Sequence, residues 1–277
     1  MKIASHRLVN DDGSHCRFQA SPNISGPLSA EYLVMHFTAG SSAESSINSL
    51  CDKNAKASAH LVIGRDGGVT QLVPFNRVAW HAGVSRWEGR EGMNQHSIGI
   101  ELDNAGRLTR VGNQWQSWFK KIYPDNEVLV ANHKQDAPGT PPSGWHAYTE
   151  PQIAAALDVA ALLVQKYALR DVIGHEDIAP GRKTDPGPDF PMASFRSRLF
   201  GRADDLAEIC VTSTVLNIRQ GPGTAFAALP ASPLPDETKV EVQEKQGNWW
   251  RVQVLDAING DMDIEGWVHS RFLRPQT

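Results

Sequence analysis

Tyr32-Leu33-Val34-Met35-His36-Phe37 is a short, nearly continuous apolar run, the pattern of a strand buried on both faces. A histidine sits near its end, where an unpartnered imidazole is costly. Working outward, Ser41-x-x-Glu44 reads as a capping box, and the helix it opens places Ala43, Ile47, Leu50 and Cys51 on one face. Residues 60–63 and 69–73 are apolar runs around Arg65-Asp66-Gly67-Gly68, which predicts a hairpin. Ser97–Leu102 is another apolar run, broken near its end by Glu101. The strongest helix signal is Thr149-x-x-Gln152 with Pro151 in the first turn, followed by Ile153, Ala156, Leu157, Ala160 and Val164 at helical spacing. A short apolar run over 171–175 follows it. Residues 76–96 and 131–148 read as long loops rich in Trp, Gly, Pro and Asn, the kind that carry function.

From about residue 205 the texture changes. Short β-branched runs at 211–215, 239–242, 248–254 and 265–269 alternate with turn residues, which predicts a small antiparallel barrel. The join is expected in the polar segment 200–205, giving domains of 1–200 and 205–277. Residues 205–277 hold 6 Lys and Arg against 10 Asp and Glu, leaving 21 of each in the first region.

The 277 residues are 40% hydrophobic and 21% charged, ample for a folded core, and the net charge is −4. That balance predicts no broad cationic surface for nucleic acid or anionic lipid. No apolar run is long enough to span a bilayer, and the N-terminus lacks the apolar stretch of a secretory signal. Three irregularly spaced cysteines argue against a disulfide framework, though a single bridge stays open. No sequence signal bears on oligomeric state.

Most of the ten histidines need no special role. His36 and His175 stand apart because each closes an apolar run. Asp185 follows in Gly181-Arg182-Lys183-Thr184-Asp185-Pro186-Gly187, a rigid turn able to aim a carboxylate. Two imidazoles and a carboxylate form the three-ligand set of catalytic zinc sites, which keep a fourth position for water. No H-E-x-x-H or C-x-x-C motif anchors them, so spacing alone leaves the metal unassigned.

Five motifs occur in order: His36-Phe37-Thr38 after an apolar strand; residues 59–67 (Ala-His-Leu-Val-Ile-Gly-Arg-Asp-Gly); Ala79-Trp80-His81-Ala82-Gly83; Ser97-Ile98-Gly99-Ile100-Glu101; and Gly174-His175 with Asp185-Pro186-Gly187. Together they resemble the type 2 N-acetylmuramoyl-L-alanine amidase family, in its AmpD/AmiD-like branch and related to the peptidoglycan recognition proteins. The resemblance covers most of residues 20–195. It implies an α/β fold, a mixed central sheet flanked by helices, with zinc at one end of the sheet held by His36, His175 and Asp185. It further implies Glu101 as the catalytic carboxylate that moves the proton of the attacking water, and Lys183 as the cation beside the reacting carbonyl. Trp80 and His81 would line the substrate cleft. Some relatives carry a tyrosine where Ala59 stands, and others a cysteine where Asp185 stands. Residues 208–274, with Leu216-Asn217-Ile218-Arg219, Asn248-Trp249-Trp250 and Gly266-Trp267-Val268, resemble a bacterial SH3 domain, a small all-β barrel. There, at least one of Trp249 and Trp250 is expected to fill the core, because successive strand residues face opposite ways.

The resemblance implies an amidase acting on peptidoglycan or muropeptides, on periplasmic or extracellular wall or in cytoplasmic recycling. Two other functions would use the same residues. A recognition protein would hold muropeptide without cutting it, and intact His36, His175, Asp185 and Glu101 speak against that. A zinc peptidase would cut within the stem peptide, and cleft shape decides between the two cuts.

Overall fold

In the computed structural model, the Tyr32–Phe37 strand lies inside a six-stranded mixed sheet. The sheet runs Asp171–Gly174, Tyr32–Phe37, Ser97–Leu102, Leu61–Ile63, Val69–Gln71 and Arg17–Phe18. The first four strands are mutually parallel, and the Leu61–Ile63 and Val69–Gln71 pair is the expected hairpin. The structure describes residues 1–200, 208–259 and 264–275. The chain divides into two compact units, Met1–Phe200 and Gly201–Thr277. Of the join expected at 200–205, residues 201–205 lie outside the described residues.

Strand periodicity separates the two faces of this sheet. Leu33, Met35, Ile98, Ile100 and Leu102 pack on one side against Ala156, Val159, Ala160 and Leu163 of the Glu150–Tyr167 helix. Each large aliphatic side chain fully buried there contributes about 2 kcal/mol. On the other side Tyr32, Val34 and Ile173 pack against Ala82, Met93 and Ile178, while Val62 and Leu72 meet Ile47 of the Ala43–Leu50 helix. Helices and loops therefore cover both faces of a mixed sheet.

Two helix starts differ from expectation. The first helix is capped by Ser42, whose hydroxyl accepts from the Ser45 amide; Glu44 turns instead to Arg17. Thr149 caps the long helix, but Gln152 does not close a box. Its carboxamide is buried and donates to the carbonyls of Ile63 and Asp103, binding two strand ends to the helix. The buried face is Ala156, Leu157, Val159, Ala160 and Leu163, with Ile153 and Val164 only half-buried.

Residues 131–148 are not a loop throughout. Ser143–His146 is the fourth strand of a five-stranded antiparallel sheet ordered Ile122–Tyr123, Gln114–Gln116, Arg107–Val111, Ser143–His146, Val128–Ala131. It packs its own small core of Ala105, Leu108, Trp115 and Tyr123. Gly144 is required there, since a Cβ would stand 2.6 Å from the Trp115 ring.

The second unit is all-β. Its sheet runs Glu265–His269, Trp249–Val254, Lys239–Gln246, Glu208–Thr212 and Leu273–Pro275, around Ile218, Leu234, Val240, Val252 and Val268. Its first strand is Glu208–Thr212, three residues earlier than the apolar run at 211–215 suggests. Trp250 packs on this core, and Trp249 stands edge-on to His269. Cys16 and Cys51 are free thiols. Among the described residues no helix is long and apolar enough to cross a membrane.

Candidate metal centre

Three parallel strands end side by side, and in such sheets the carboxyl ends of strands form the binding crevice. Glu101 is the register partner of His36, and Gly174 that of Met35, so His175 emerges next to His36. His36 and Glu101 point to the face opposite the long helix. His175 opens a short helix, and the following turn returns Asp185, locked by the Glu176 amide donating to the Asp185 carbonyl at 2.8 Å.

The result is a triangle. His36 Nδ1, His175 Nδ1 and Asp185 Oδ2 lie 2.9 Å from one another, and all three side chains are buried. Their hydrogen bonds fix what these atoms are. His175 Nε2 lies 3.1 Å from the Ala82 carbonyl, which only accepts, so Nε2 carries a ring proton and Nδ1 is bare in the neutral ring. His81 Nε2 likewise faces the Ser97 carbonyl, at 3.3 Å, which leaves His81 Nδ1 bare. That atom lies 3.0 Å from His36 Nε2 and accepts its proton, so His36 Nδ1 is bare as well. Burial, with His175 nearby, pushes His36 down to about 4, so the ring is neutral at physiological pH. Burial likewise drives His81 well below the ordinary histidine range. With both rings neutral, two lone pairs and a carboxylate oxygen converge with no hydrogen between them, an arrangement that repels itself unless a cation sits among them. Among the described residues no other group of His, Cys, Asp and Glu meets in this way. The residues fit a metal ion.

Glu101 faces the same space. Its Oε2 is buried and has no hydrogen-bond partner among the described residues. Burial, then repulsion from Asp185, pushes its carboxyl up to about 8 against a smaller opposing pull from Lys183. Lys183 is half-buried on the turn carrying Asp185.

His81 has both ring nitrogens engaged within the fold, Nδ1 with His36 and Nε2 with the Ser97 carbonyl. It is buried behind His36, in the hollow over Gly99, where a Cβ would stand 2.5 Å from the His81 ring. Asn94 Oδ1 accepts from the amides of His81 and Ala82 and holds that loop in place. Trp80 is half-buried, its indole N–H donating to Ser25 Oγ at 2.7 Å. Ala59, fully buried, leaves no phenol at its position.

Several supporting residues carry no motif in the sequence. Glu176 is buried, pairs with His133 at 2.5 Å and with Lys134 at 2.8 Å, and braces the ligand next to it. The Tyr148 hydroxyl donates to the Pro186 carbonyl at 2.8 Å, and Trp145 packs within van der Waals distance of Gly187. The five-stranded sheet and the segment leaving it thus brace the Asp185 turn. The one readable signal was the alternation Ser97-x-Gly99-x-Glu101, small residues beneath an acid on one face, which announces a hollow beside a functional group.

A family model described as N-acetylmuramoyl-L-alanine amidase matches residues 26–188, and one described as bacterial SH3 domain matches residues 214–274. The chain is 37% identical over 143 residues to 1,6-anhydro-N-acetylmuramyl-L-alanine amidase AmpD of Escherichia coli, covering 51% of this chain and 57% of that protein. It is 34% identical over 186 residues to N-acetylmuramoyl-L-alanine amidase AmiD of Escherichia coli, covering 64% and 56%. The crystal structure of a selenomethionine AmpD derivative superposes with a TM-score of 0.50 at 29% identity, covering 72% of this chain and 99% of that one. The chain spans somewhat more than half the length of the curated relatives it matches.

Proposed function

Because the chain belongs to the N-acetylmuramoyl-L-alanine amidase family, we propose that its first unit hydrolyses the amide between the lactyl group of N-acetylmuramic acid and L-alanine, with zinc as the metal. The observation that carries this is the triangle of ligand atoms beside Glu101, whose Oε2 is buried and without a partner among the described residues. Two imidazole nitrogens and one carboxylate oxygen are the borderline donor set that suits zinc. A cation held there supplies Lewis acidity to water and to the scissile carbonyl.

The side chains do the rest. Glu101 takes the proton of the attacking water and returns it to the departing amine of L-alanine. Its raised pKa makes the carboxylate a stronger base, and a bound cation draws the value back toward neutrality. Lys183 stabilises the negative charge that develops on the carbonyl oxygen. His81 acts through His36, fixing its tautomer and orientation, and Trp80 contributes the loop's contact to substrate.

Residues 205–277 act in this reading as a separate wall-binding module, which favours polymeric peptidoglycan outside the cytoplasm over small recycled fragments. The names of the relatives, which include an anhydro-muramyl amidase, support the sugar–peptide junction as the bond cut. The test is mass spectrometry of sacculi and of a soluble muropeptide incubated with zinc-loaded and EDTA-treated protein. Free stem peptides beginning with L-alanine, appearing only with metal, are expected. Peptides cut internally would make it a stem-peptide hydrolase instead.

A further inference from the structure

The turn between the Gln114–Gln116 and Ile122–Tyr123 strands carries two adjacent aromatic residues with opposite fates. Phe119 is drawn into the small core of its own sheet. Trp118 is 71% exposed, an unusual position for the largest side chain in the protein. It is not loose. Its indole N–H donates to the Ala39 carbonyl at 2.7 Å, and its ring stands edge-on to Phe119 with centroids 5.6 Å apart. Its one polar atom is therefore satisfied within the fold, while most of its surface is offered outward.

That surface borders a cleft of about 300 Å3 whose other walls are the loop after His36 and the exposed side of the Ala43–Leu50 helix. Glu101 lines the same cleft, so what occupies it lies against the reacting centre. Ser41, Ser45 and Ser49 bring hydroxyls to it, the last two one helical turn apart, while the Thr38 hydroxyl is engaged by Asn104 and Gly40. Among the described lining residues there is no Lys or Arg, and Glu101 is the one ionisable group.

An apolar flat face opposite a row of hydroxyls, without cations, suits a neutral ring bearing hydroxyls on its rim and C–H groups on its faces. A stem peptide is a poor match, because it carries carboxylates that call for positive partners. We infer that this cleft is the glycan subsite and that Trp118 is the platform on which a pyranose ring of the substrate stacks. The inference rests on the amidase reading for the identity of the substrate and deepens it. It makes the five-stranded sheet a specificity element, which positions Trp118 through the Ala39 tether.

The test uses the full chain and its Trp118→Ala and Trp118→Phe variants. Saturation-transfer NMR titrations are run with the peptide-free disaccharide of N-acetylglucosamine and N-acetylmuramic acid, and separately with free L-alanyl stem peptide. Kinetics on disaccharide-bearing muropeptide accompany them, and circular dichroism checks the fold. Trp118→Ala should weaken disaccharide binding about tenfold and raise KM by a similar factor with kcat little changed. Trp118→Phe should keep most of the affinity, and stem-peptide binding should not move. Equal disaccharide binding by wild type and Trp118→Ala, or a loss confined to the stem peptide, would overturn the subsite while leaving the amidase reading intact. A protein that cuts nothing yet binds disaccharide through Trp118 would overturn the amidase and keep the subsite.

Discussion

Glu101 supplies the sharpest physical test, because its burial has a thermodynamic signature separate from turnover. In the metal-free protein the carboxyl titrates at about 8 when folded and near the ordinary 4.5 when unfolded. Between these values the folded state binds the extra proton, so stability falls as pH rises. The sign follows from an acid whose folded value is raised: its contribution is fully present below 4.5 and lost as pH passes through about 8. At 1.36 kcal/mol per pH unit, the gap amounts to roughly 4–5 kcal/mol. Glutamine does not titrate, so Glu101→Gln removes this slope. The buried histidines run the opposite way, His36 and His60 being depressed to about 4 by burial, but they are common to both proteins and cancel in the difference. Urea unfolding of EDTA-treated wild type and Glu101→Gln, from about pH 5 to about pH 8, should show the variant gaining several kcal/mol over wild type across the range. Zinc should compress the difference, while the variant still binds the metal and loses turnover. A difference that stays flat with pH would refute the desolvation of this carboxyl, and loss of bound metal in the variant would make Glu101 a ligand.

Three further outcomes follow from the surroundings of the site. His81→Ala removes the acceptor that fixes the His36 tautomer, so zinc affinity measured by chelator competition should drop about 10–100-fold. Glu176→Ala strands the buried His133, while Lys134 keeps Asp177, and should cost about 3–5 kcal/mol in urea unfolding, because one partner of a buried pair is removed. Deleting residues 205–277 should preserve cleavage of soluble muropeptide and weaken action on whole sacculi, read by release of stem peptide; equal loss on both would make that unit part of folding or of the cleft.

The central sheet was legible because its strands are apolar runs bounded by polar turns, as at Tyr32–Phe37 and Ser97–Leu102. His36 and His175 stood out because each sits at the end of an apolar run, and Asp185 because Pro186 and Gly187 make its turn rigid enough to aim a carboxylate. The five-stranded sheet was not legible. Its strands are short, and apart from Ser143–His146 each buries at most one residue, Leu108 in one and Trp115 in another, so no alternation rises above the polar background. The placement of His81 depends on the hollow over Gly99, a feature of two strands and a loop that no local window contains. The cap at Ser42 rather than Ser41 reflects two adjacent serines with equal chemistry, between which only backbone geometry chooses.

The strand order also sets a schedule for synthesis. Tyr32–Phe37 leaves the ribosome early, yet its two neighbours in the sheet are Ser97–Leu102 and Asp171–Gly174. An apolar segment made first must wait for a partner made near the end of the unit, and its ligand waits longer still, for Asp185. Pairings so distant in sequence form slowly and leave a sticky edge uncovered meanwhile. A chain stalled or cut before residue 171 therefore holds five of the six strands, with one side of Tyr32–Phe37 unpaired, and one third of a metal site, a fragment suited to aggregation or degradation rather than to partial activity.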